Sequence, residues 1–190
     1  NPNNVVRIIL GKDEEGDGES CNRYTRARKA FRGWLAEGVL IKDEEEGIYL
    51  YAQDFEAKTS AGPVRKSRLG IVTLVRADAL GDGVILPHEF TMPGPKADRL
   101  ELMRHTGAAF GQIFSLYSDP DHETRKLFEQ SLSGDPLFTF VDGEEIVHRF
   151  WQVTDRKVID GVAEVLSDKS IFIADGHHRY ETAVVYRDER

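Results

Sequence analysis

The stretch "KSIFIADGHHRYETAVVYRDE" limits the possible folds of this chain more than any other. Ser170 to Ala174 is a continuous apolar run, the pattern of a strand buried on both faces. Tyr180, Ala183 and Val184 then recur at helical spacing. Only Asp175 and Gly176 separate the two patterns. A strand that passes through so tight a turn into a helix belongs to an α/β unit, and it delivers Asp175, Gly176, His177, His178 and Arg179 to the carboxyl end of the strand.

Two further segments alternate in the manner of antiparallel pairs. "GIYLYAQDFEA" and "VRKSRLGIVTLVRA" flank the turn residues "KTSAG", and "LFTFVD" precedes "EEIVHRFWQVTD", so two hairpins are expected. Ser20 is placed to cap a helix with Tyr24, Ala27, Phe31, Trp34 and Leu35 on one face and Gly38 as its stop. A helix is expected from Pro95, another over "DPDHETRKLFEQSL", and a third capped by Asp155. Val5 to Leu10 is β-branched and apolar and reads as a buried strand, and "GQIFSLY" as another. The fold class is therefore mixed α/β, with a mixed sheet, several antiparallel hairpins and a terminal strand-turn-helix unit. Residues 1–190 are expected to form a single α/β domain.

Composition narrows the functional classes. At 190 residues, with 40% apolar and 31% charged residues, the chain is neither mainly disordered nor membrane-spanning. Its net charge of −8 disfavours a nucleic-acid duplex as partner, which would demand a surplus of Lys and Arg. A lone Cys21 forms no internal bridge, so a reducing cytoplasm is the expected setting. The oligomeric state is not written in such features. The chain begins without Met inside a structured pattern and closes inside an amphipathic one, as a fragment truncated at both ends would.

The chemistry collects at Asp175 to Arg179. The first turn of a helix presents unpaired N–H groups and the positive end of the macrodipole, so an anion is stabilised there. Gly176 permits close approach, and His177, His178 and Arg179 add donors, the guanidinium with a fork suited to phosphate. A plainer reading has Asp175 as an N-cap with the imidazoles and Arg179 solvated. His88 and Glu89 in "LPHEFT" lie on a loop, and Glu89 is the candidate base for phosphoryl transfer. Lys96 and Arg99 are candidates to clamp a second phosphate or a carboxylate; as the bland alternative, they and Asp98 form ordinary ion pairs at a helix start.

Two alternatives accompany this one. A metal-dependent phosphoester hydrolase would use Asp175, His177 and His178 with His88 or Glu89 as ligands, although Gly176 interrupts the Asp-His-His pattern. A nucleotide sensor would hold phosphate without turnover. Walker, dinucleotide and nucleophile-elbow motifs are missing from the sequence. Asp13, Glu15, Asp17 and Gly18 fall at calcium-loop offsets, but Tyr24 stands at the twelfth position, where that loop requires Glu. His105, His122 and His148 are isolated and read as surface or satisfied core.

The segments "NPNNVVRIILG", "YTRARKAFRGWLAEGVL", "IYLYAQDF", "LPHEFTMPGPKADRLELMR", "IFSLYSD", "HRFWQVTD" and "IADGHHRYETAVVYRDE" resemble the domain of unknown function 1015 family of bacteria and archaea, across nearly the whole chain. Its function is uncharacterised, and its members extend beyond both ends of this chain. "DGHHRY" is also similar to the Gly-x-x-Arg phosphate motif of the ParB and sulfiredoxin superfamily, whose free-serine kinase branch carries Asp-Gly-His-His-Arg. That second resemblance covers some twenty residues. It implies that Gly176 and Arg179 hold a nucleotide phosphate, that His177 and His178 contact the transferred or neighbouring phosphate, and that Asp175 assists metal or hydroxyl positioning. ATP or ADP with magnesium and a hydroxy amino acid are the implied ligands. His177 and His178 stand where the sulfiredoxin type has its reactive Cys, which argues against peroxiredoxin repair.

Overall fold

A computed structural model describes the backbone of residues 1–190 and every side chain except that of Pro93. In chain order the elements are α1 (Val6–Ile9), α2 (Arg23–Ala36), β1 (Ile48–Thr59), β2 (Gly62–Val72), β3 (Ile85–Leu86), α3 (Pro93–Thr106), β4 (Phe114–Tyr117), α4 (Glu123–Leu127), α5 (Glu129–Ser133), β5 (Phe138–Val141), β6 (Val147–Val153), α6 (Arg156–Leu166), β7 (Ile171–Asp175) and α7 (His177–Asp188). This is a mixed α/β fold containing both expected hairpins. The chain divides into two compact units, one made of residues 1–43, 76–117 and 170–190, the other of 44–75 and 118–169.

The second unit is a four-stranded antiparallel sheet in the order β2-β1-β6-β5. Alternation along β1 sends Ile48, Leu50 and Ala52 inward, where they meet Trp151 and Val153 of β6 and Phe128 and Val162 from the helices. Asp155 caps α6 as expected, accepting from the Lys157 N–H at 2.9 Å, and Val158, Ile159 and Leu166 pack on the same core. The single helix expected over "DPDHETRKLFEQSL" is instead two short ones. Phe128 lies between them at φ −95°, ψ 0° and is 1% exposed, so burying this ring bends the chain off the helical path. Asp119 caps the first of the two, accepting from the N–H groups of Glu123 and Thr124.

The first unit is built on a three-stranded sheet, β3-β7-β4, with β7 central. β3 runs parallel to it and β4 antiparallel. Ile85, Ile173 and Tyr180 form one core between sheet and α7, while Ile8, Ala27, Trp34 and Leu102 join α1, α2 and α3 in another. The expected strand at Val5 to Leu10 is a correction: Val6 to Ile9 is one helical turn. Asn4 starts that turn, its side chain accepting from the Val6 N–H and its carbonyl from the Arg7 N–H. Only Ile8 is buried there, and tertiary packing of that one side chain overrides the β-branched preference.

Two helix starts also move. Asn22, not Ser20, caps α2 through a reciprocal capping box with Thr25, and α3 begins at Pro93 rather than Pro95. Among the described residues no helix is long and apolar enough to cross a membrane.

Candidate functional site

Asp175 is the last residue of β7, and Gly176 turns the chain into α7 at φ +96°, a backbone that side chains with a Cβ rarely adopt. The plainer reading of Asp175 as the N-cap does not hold. The N-cap position belongs to Gly176, and no side chain accepts from the first-turn amides there. Asp175 turns its carboxylate instead to Arg179, whose Nη2 donates to Oδ2 at 2.7 Å.

Arg179 folds back over the turn. A Cβ built on Gly176 would stand 2.7 Å from Nη2 and 2.8 Å from Nε, and one on Gly111 would meet Cδ at 3.4 Å. The guanidinium thus fills space that two glycines leave open. Its Nε is buried and has no hydrogen-bond partner. A cation at a helix N-terminus is opposed by the macrodipole, and Asp175 offsets that opposition.

The histidines are placed differently from a solvated pair. His177 is 1% exposed. Its Nε2 accepts the His88 N–H at 3.2 Å, which makes Nδ1 the protonated nitrogen of the neutral ring. Nδ1 lies 3.0 Å from Oε1 of Glu89, but out of line, so the contact is an electrostatic pair rather than a formed hydrogen bond. Nε2 of His178 accepts the Met92 N–H at 2.9 Å. The His88 ring meets that of His177 edge-on and donates from Nδ1 to the Ile173 carbonyl at 2.7 Å.

These contacts pin the loop 87–92 to the first turn of α7. A further pin was not visible in the sequence. Glu181, four residues beyond His177, accepts from Thr91 Oγ1 at 2.7 Å and from Lys96 Nζ at 2.6 Å. Burial pushes the Glu181 carboxyl up, but Lys96 and Thr91 together outweigh it and hold it below the ordinary carboxylate range.

The structure therefore brings Asp175, Gly176, His177, His178, Arg179, Glu89 and Lys96 around the start of α7. Arg99 is drawn elsewhere: its Nη1 donates to the Ile9 carbonyl and stands 3.8 Å from Asp98. Among the described residues no three His, Cys, Asp or Glu side chains are arranged to hold a metal ion. In the segment whose offsets only partly match a calcium loop, Arg26 grips Asp17 at 2.6 and 2.9 Å, placing a cation where a calcium ion would require free acceptors. His148 is a satisfied core residue, between Tyr51 and Asp142. His105 Nδ1 bonds the Glu101 carbonyl.

A search of curated proteins and a search of solved structures each returned no match. The model of the family described as "Protein of unknown function (DUF1015)" matches residues 1–190, and the chain belongs to that family.

Proposed function

We propose that the start of α7 binds the phosphate of a small phosphorylated ligand or nucleotide, and that the chemistry served is phosphoryl transfer to a small hydroxyl compound such as a hydroxy amino acid. One observation carries this reading. The guanidinium of Arg179 lies over a positive-φ glycine at an uncapped helix start, with its Nε buried and unpaired. A buried donor without an acceptor costs about 1–3 kcal/mol, and a phosphate oxygen at the Gly176 turn would meet it together with the first-turn amides.

Glu89 and His177 supply the second half. A hydroxyl attacking phosphorus loses its proton as the bond to the leaving oxygen breaks, and Glu89, held beside His177 Nδ1, is the carboxylate available to take it. The nucleotide enters as its magnesium complex, whose lower charge suits a turn that carries Asp175 and has Glu89 on the loop pinned beside it. In this reading His177 and His178 hold the loop that carries Glu89 and do not themselves touch phosphate.

A second reading, a sensor without turnover, draws support from the ion pairing of Lys96 with Glu181, which leaves Arg179 as the main cation at the turn. The full-length protein, incubated with ATP or ADP, magnesium and a panel of hydroxy amino acids, separates the two. Phosphorylated product supports transfer; saturable binding without product supports the sensor. Arg179→Ala is expected to weaken anion binding at least tenfold while the circular dichroism spectrum stays unchanged. Unaltered binding in that variant would remove the anion site altogether.

A further inference from the structure

Loop 87–92 is fastened to α7 by its backbone at His88 and Met92 and by the Thr91 side chain. Between these points Phe90 projects wholly into solvent, 102% exposed, beside a Met92 that is 64% exposed. A single exposed apolar residue is ordinary on a protein surface. Phe90 differs in where it is held. The groups that pin its loop are His177, His178 and Glu181 of the first turns of α7, and Phe90 lies two residues, about 7 Å of chain at most, from each backbone pin.

We propose that Phe90 is the stacking surface for the base of a nucleotide whose phosphates sit at the Gly176 turn. This rests on the phosphate and nucleotide reading given above and deepens it by assigning the residue that receives the base. A flat aromatic base matches a phenyl face without any hydrogen-bond partner, and Phe90 is the one phenyl side chain in the sequence of residues 87–92. His88 is committed edge-on to His177. Because the loop is already pinned, stacking would order one side chain rather than a whole segment, which keeps the entropic cost small.

The test compares ATP with inorganic tripolyphosphate, which has the phosphates and no base, by calorimetric titration of the full-length protein with magnesium. Base–aromatic stacking predicts that ATP binds about tenfold or more tighter than tripolyphosphate, and that Phe90→Ala brings the ratio close to one. Phe90→Trp should keep the preference and show indole fluorescence that ATP quenches and tripolyphosphate does not. Equal affinities in the unaltered protein, or an ATP preference that survives Phe90→Ala, would overturn the stacking role while leaving the phosphate site standing. If neither ligand binds, or if Arg179→Ala leaves both affinities unaltered, the phosphate site falls and the stacking role with it.

Discussion

Replacing Gly176 by Ala tests the turn on which the site depends. Two costs are expected, and the structure separates them. At φ +96° an alanine pays backbone strain of about 1–2 kcal/mol in any background. Its Cβ would also stand 2.7–2.8 Å from the Arg179 guanidinium, closer than real contacts allow, but those atoms are the end of a flexible side chain and move aside. The steric part is therefore small in stability and large in function, since it displaces Arg179 from the place where an anion would meet it. Denaturant unfolding of Gly176→Ala, Arg179→Ala and the double variant resolves this. The Gly176→Ala penalty should stay near 1–2 kcal/mol when Arg179 is absent and rise only slightly when it is present, whereas anion affinity should fall to the Arg179→Ala level in either single variant. A penalty within a few tenths of zero would refute the positive-φ turn at Gly176, and full anion affinity in Gly176→Ala would refute the placement of Arg179 over it.

Leu50, fully buried beneath α6, should cost about 2–5 kcal/mol when truncated to alanine, read as a lower denaturant midpoint; a neutral result would contradict the packing of the second unit. Hydrogen bonding to Arg26 lowers the Asp17 carboxyl from 3.8 to about 2. Because the folded value is the lower one, this pair contributes stability above the unfolded pKa, and the contribution fades as pH falls from about 4 through about 2. A carboxyl titration followed by NMR should return Asp17 toward its ordinary value in Arg26→Ala; an ordinary value in the unaltered protein would refute the pairing.

The hairpins were readable because alternation is a local signal. The inward set Ile48, Leu50 and Ala52 can be picked from the sequence with no knowledge of what covers it. Where the reading failed, a tertiary contact decided the outcome. Val5 to Leu10 has too few residues for its apolar pattern to distinguish a helical turn from a strand, and Ile8 settles it by packing with Trp34 and Leu102. Phe128 interrupts a segment whose helical pattern is otherwise unbroken, because the position of the core is not encoded in that pattern.

At the candidate site the residue types were legible and their allegiances were not. "DGHHR" suggests five groups facing one ligand, yet the structure assigns them three kinds of work. Asp175 neutralises Arg179, both histidines hold the 87–92 loop through their Nε2 lone pairs, and Gly176 with Arg179 shapes the turn. That division changes the chemistry available. An imidazole whose Nε2 already accepts an amide, and whose Nδ1 carries the proton, has no lone pair left for a metal ion, so in this conformation neither His177 nor His178 can serve as a ligand. The same commitment ties Glu89 and Phe90 to the helix start, residues that sequence spacing places more than eighty positions away. The adjacency of the two histidines, which first suggested a metal or phosphate cage, is better explained by the loop: side chains one residue apart on a helix diverge by about 100°, and here they grip the loop at two points four residues apart.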